Sequence, residues 1–115
     1  EYPIETLYGK WRAVTLEGAL DKPHDLTNAL ATPTYLTFNE KGILVSEGYL
    51  ANGTGRYSTE EKTIYTLVNE KRLDFEVIEL EAGTARITFN PTGIDFGIPI
   101  SANIKTVTLE LKKQQ

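Results

Sequence analysis

The stretch "TYLTFNEKGILVSEGYL" (34–50) constrains the fold more than any other. Two short runs of β-forming residues flank a turn at 39–42, so the segment reads as a hairpin. The rhythm continues after "ANG" (51–53) through "TGRYST", "TIYTLV", "RLDFEVIEL" and "TARITF", each separated by two or three turn residues. With "GKWRAVTLE" near the start and "IKTVTLELK" near the end, the pattern predicts an all-β fold of eight strands joined as an antiparallel meander. A meander of this size removes its own exposed edges by closing, which predicts an up-and-down barrel. The 115 residues suit one domain, 1–115.

Alternation assigns an inward set: Trp11, Ala13, Leu36, Phe38, Ile43, Val45, Tyr57, Tyr65, Leu67, Leu73, Phe75, Val77, Ile87, Phe89, Val107, Leu109 and Leu111. In "RLDFEVIEL" the apolar phase changes between Val77 and Ile78, which predicts a β-bulge. Asp74 and Glu76 then face outward. "DKPHDLTNALAT" (21–32) is the one stretch with helical spacing. Asp25 is its candidate N-cap and Leu26 and Leu30 lie at i and i+4, so a short helix or turn is expected in the 18–33 loop. In "NPTGIDFGIPISAN" (90–103), Ile94, Phe96, Ile98 and Ile100 alternate while Gly97 and Pro99 interrupt any ladder. It reads as an irregular edge strand or a flap.

Composition excludes several functions. There is no cysteine, hence no thiolate nucleophile or ligand, and the net charge of −4 comes from interspersed residues. The densest basic cluster is Lys112–Lys113, so a nucleic-acid partner is not expected. No run of about 18 apolar residues exists to span a membrane as a helix. The chain contains no methionine, so a segment is expected to have been removed ahead of residue 1, with a cleaved signal peptide as one explanation. Nucleophilic catalysis has little to work with: His24 is the single histidine, and the serines are Ser46, Ser58 and Ser101. His24 with Asp21 and Asp25 on one loop is too sparse for a metal site. The reading is no enzyme, no cofactor and no metal.

A glycine, any residue, then tryptophan on the first strand (Gly9 and Trp11) resembles the lipocalin signature. The blocks "LYGKWRAVTLEG", "LTFNEKGILVSEG", "GTGRYSTEEKTIYTL" and "FEVIELEAGTARITF" are similar, in order, to those of bacterial lipocalin-like domains. The resemblance implies a small calycin-type barrel, exported to the periplasm or lipid-anchored in the outer membrane through a segment upstream of residue 1. Most such domains have no assigned function. It implies a small hydrophobic ligand in the barrel or, alternatively, a protein-interaction or structural module of the cell envelope without one. Lipocalins proper stack an arginine of the last strand on the signature tryptophan. This chain has no arginine after Arg86, and Lys105 and Lys112 are the cations read there in its place.

Tyr35, Tyr49, Tyr57 and Tyr65 fall on neighbouring strands, where their rings and hydroxyls would orient a ligand in an open interior. In a shallow barrel the alternative is an interior filled by side chains. Glu47 is in phase with Val45 and Tyr49, which points it inward, where it would need Arg56 or a tyrosine hydroxyl; at the rim it would be wet. The expected ligand site is Tyr35, Glu47, Tyr49, Tyr57 and Tyr65, at the end opposite Trp11 and under the 18–33 loop. Residues 6–7 are read as a turn over the closed end, Gly9 as the bend into the first strand, and Trp11 as the plug of that end.

Overall fold

In the computed structural model, which describes residues 3–115, a 3-10 turn at Ile4–Thr6 leads into nine strands. They are β1 (Gly9–Glu17), β2 (His24–Asp25), β3 (Tyr35–Phe38), β4 (Ile43–Glu47), β5 (Gly53–Glu60), β6 (Thr63–Val68), β7 (Lys71–Leu80), β8 (Thr84–Phe89) and β9 (Val107–Lys113). Strands β3 to β9 pair each with the next, all antiparallel. β1 pairs with β3 on one edge and β9 on the other, which closes an eight-stranded barrel. The dipeptide β2 adds to the β3 edge of β1 at Thr15 and Leu16.

Local chemistry explains the turns. The Asn39 side chain accepts from the amides of Lys41 (2.8 Å) and Ile43 (2.9 Å), which fixes the β3–β4 reversal. The register of β7 shifts between Val77 and Glu79, the bulge expected from the change of phase. A second bulge, between Ala13 and Thr15 of β1, turns Leu16 inward behind Trp11 and Ala13.

Two strands have the opposite facing from that expected. In β4 the buried residues are Leu44 and Ser46, not Ile43 and Val45, because Leu44 is opposite Phe38 and Ser46 opposite Leu36. In β6 they are Ile64, Thr66 and Val68, not Tyr65 and Leu67, because Thr66 is opposite Tyr57 and Leu73. The inward hydroxyls are satisfied: Ser46 donates to the Ala51 carbonyl (2.9 Å) and Thr66 to that of Leu73 (2.6 Å). The 21–32 segment is no helix: it carries β2 and then a turn. Asp25 accepts from the amide (2.8 Å) and hydroxyl (2.7 Å) of Thr27, Leu26 is fully buried and Leu30 is 97 % exposed, so the two leucines share no face.

The end built by the N-terminal turn and the 39–42, 61–62 and 81–83 connections is closed. Trp11 is fully buried there and its Nε1 donates to the Leu7 carbonyl at 2.8 Å. The cation over its ring is Lys113, with Nζ 5.2 Å from the ring centroid and donating to the Thr6 carbonyl at 3.1 Å. Lys105 and Lys112, the lysines read as candidates, are not the ones stacked. Gly9 has φ +126° and an added Cβ would lie 2.7 Å from the Lys113 Cε, so both backbone and neighbour call for glycine.

Candidate functional site

The interior above Trp11 is filled. Phe38, Phe75, Ile64, Leu109 and Leu111 are buried, Phe75 meets Phe89 edge-on at 5.4 Å, and Phe89 meets Phe96 at 6.1 Å. The void left among Leu36, Leu44, Ser46, Thr66 and Phe75 measures about 10 Å³, space for a single water at most.

The five expected ligand residues are not brought together. Tyr49 lies at the open end, packed on Phe96 at 5.5 Å, and its hydroxyl accepts from the Thr32 amide at 2.9 Å, so it holds the 18–33 loop in place. Tyr57 faces inward but near the closed end: its ring meets Phe38 edge-on at 4.9 Å and its hydroxyl donates to the Asn39 carbonyl. Tyr35, Glu47 and Tyr65 stand on the outer surface. Tyr35 is opposite Glu47, and Lys10 lies 4.4 Å from the Tyr35 ring and 3.7 Å from the Glu47 carboxylate. Glu47 is therefore the wet member of its two alternatives. Tyr65 is opposite Ser58 and Asp74 on the outer face.

The open end offers different groups. Residues 91–105 form no strand; Phe96 drops into the core as a stopper while Ile94, Ile98, Ile100 and Ile104 stay half-buried around it. The Asp95 carboxylate accepts from the Gly97 amide (2.8 Å) and Ile94 donates to the Pro91 carbonyl (3.0 Å), which shapes the segment as two linked turns. Within it is a cleft of about 400 Å³ lined by Ile94, Ile98, Ile100 and Ile104 together with polar groups that include Asp95 and Lys105. Ser101 and Ile104 also border a shallower depression of about 780 Å³ against residues 18–24. The alternating isoleucines signalled this segment in the sequence. What the sequence did not convey was that one side chain, Phe96, fills the barrel and leaves the other four around a cleft.

His24 and Ser101 both border that depression. The hydroxyl of Ser101 accepts from the Asn103 amide at 3.3 Å, and Asp25 is engaged by Thr27, whose hydroxyl and amide hold the Asp25 carboxyl below the usual carboxylate range. Among the described residues no group of three or more His, Asp or Glu is placed to hold a metal ion, and no helix is long and apolar enough to cross a membrane.

No protein-family model matches the sequence, and none of the curated proteins matches it. Among solved structures, the chain is similar to a lipocalin-like protein from Bacteroides uniformis, with a TM-score of 0.63, 15% identity, and coverage of 95% of this chain and 99% of that one. With the closed eight-stranded meander and the Gly9–Trp11–Lys113 closure, the chain has the lipocalin-like fold.

Proposed function

We propose that this domain is a binding module that takes a small apolar molecule at the open end of the barrel, in the isoleucine cleft formed by residues 91–105. One contrast carries the reading: a cleft of about 400 Å³ at the mouth walled largely by four isoleucines, against a void of about 10 Å³ among Leu36, Leu44, Ser46, Thr66 and Phe75 inside the barrel. A volume of a few hundred Å³ bordered by a few polar groups is the usual scale of a small-molecule site. The lipocalin-like fold supports a ligand-binding role over a catalytic one, and the filled interior moves the ligand from the centre to the mouth. Location in the bacterial envelope belongs to the same proposal and rests on the sequence resemblance; fractionation of source cells tests it.

The direct test is a fluorescence titration with N-phenyl-naphthylamine, a neutral apolar probe, against the native protein and Ile98→Asp. Saturable binding to the native protein, weakened about tenfold or more by a charge placed in the cleft, is the expected result. Binding that is absent, or indifferent to Ile98→Asp at unchanged melting temperature, refutes the site.

A further inference from the structure

Another concavity lies on the outer face of the barrel and shares no residue with the mouth cleft. The register places Ile43, Arg56, Leu67 and Arg72 in one row across β4, β5, β6 and β7, all on the outer face. Leu67 is therefore flanked by an arginine on each side, about 5 Å away strand to strand. Two residues along the strand, Tyr65 stands beside it, and the Arg72 guanidinium lies 6.0 Å from the Tyr65 ring centroid. Arg56, Leu67, Arg72 and Tyr65, together with Ser58, border a groove of about 310 Å³.

The groove combines features that outer barrel strands ordinarily avoid. Leu67 is 51 % exposed and lies along the strand from Tyr65, giving the groove an apolar floor in water, and Ile43 is exposed on the far side of Arg56. The two cations are under-committed. Arg86, elsewhere on the barrel, has Glu17 at 2.9 Å, whereas Arg56 makes no ion pair with any described residue and Arg72 reaches Asp74 only at 3.7 Å with both side chains exposed. In a chain of net charge −4, a pair of guanidiniums straddling a leucine next to a tyrosine forms a local positive site. A planar guanidinium binds carboxylate through paired, charge-assisted hydrogen bonds, and an apolar body laid on Leu67 and Tyr65 excludes water and strengthens them.

We propose that this groove binds an amphiphilic organic carboxylate: its flat apolar body rests on Leu67 and Tyr65 and its carboxylate bridges Arg56 and Arg72. The site is independent of the mouth cleft, shares no residue with it, and requires a charged ligand where the cleft takes a neutral one.

Amide NMR titration with naphthoate as the probe, and naphthamide as its neutral counterpart, separates the possibilities. Naphthoate is expected to shift the amides of 56–58, 65–67 and 72 saturably, at millimolar concentration or below. Arg56→Gln and Arg72→Gln should each weaken binding by about tenfold, in line with a lost charge-assisted contact, and raised salt should weaken it further. Both positions are on the surface, so the fold is retained, as an unchanged amide spectrum elsewhere verifies. Naphthamide should leave the groove amides in place. Shifts confined to 91–105, equal affinity for naphthamide, or affinity unchanged in both variants overturns the proposal. Movement of the groove amides with protein concentration alone also overturns it, because the face would then be a self-association surface.

Discussion

Lys113 carries the closed end, and its removal can be predicted quantitatively. Lys113→Ala loses a charged hydrogen bond to the Thr6 carbonyl (3.1 Å) and a cation–π contact with Trp11 (5.2 Å). The first contributes about 1.5 kcal/mol and the second about 0.5 to 1 kcal/mol, so the variant should lose about 2 kcal/mol. For a chain of this length that corresponds to roughly 8 °C in melting temperature. Urea unfolding followed by far-ultraviolet circular dichroism measures it without relying on the tryptophan signal. Lys112→Ala, one residue earlier and exposed, should change stability by less than about 0.5 kcal/mol. A double-mutant cycle with Trp11→Leu, which removes the aromatic face, isolates the ring contact, with an expected coupling of about 0.5 kcal/mol or more. Equal effects of the two lysine substitutions, or zero coupling, would refute the argument that this lysine takes the role of the arginine in lipocalins proper.

Other positions have equally definite expectations. At Gly55 an added Cβ would lie 2.0 Å from the Leu67 carbonyl oxygen and 2.8 Å from the Val68 Cα, so Gly55→Ala should cost about 3 kcal/mol, whereas Gly83→Ala, with nothing within 4 Å, should stay within about 0.5 kcal/mol; thermal melts of the two decide it. The Asp25 carboxyl is held below its ordinary value by the Thr27 hydroxyl and amide. Its contribution to the 25–28 turn is therefore complete above the unfolded aspartate value and lost as pH falls through the lower folded one. A carboxyl NMR titration that places Asp25 at or above the ordinary value would contradict the turn geometry.

The order of the strands, their antiparallel pairing and the β7 bulge were legible because turn residues punctuate the chain and charged residues alternate with Phe75 and Val77. The facing of β4 and β6 was not. "ILVS" and "TIYTLV" are apolar on both faces, so alternation carries no phase, and the choice falls to partners distant in sequence: Phe38 for Leu44, Tyr57 for Thr66. The same ambiguity scattered the expected tyrosine site, since Tyr65 moved outward with its strand and Glu47 with β4. The β1 bulge has a trace in the sequence as well: Trp11 and Ala13 share one parity and Leu16 the other, the same kind of phase change as in β7. At the mouth, the isoleucines were visible in sequence, but only the burial of Phe96 turns their segment into a cleft.

The pairing of β1 with β9 has a kinetic meaning. The ladder from Trp11–Lys113 to Glu17–Thr108 joins the first and last strands of the described chain. Until β9 emerges from the ribosome, β1 and β8 each present an unpaired edge, and the closing contacts span almost the whole sequence, the most expensive loop closure the fold contains. A nascent chain lacking β9 is thus a sheet with two adhesive borders, and closure must wait for β9.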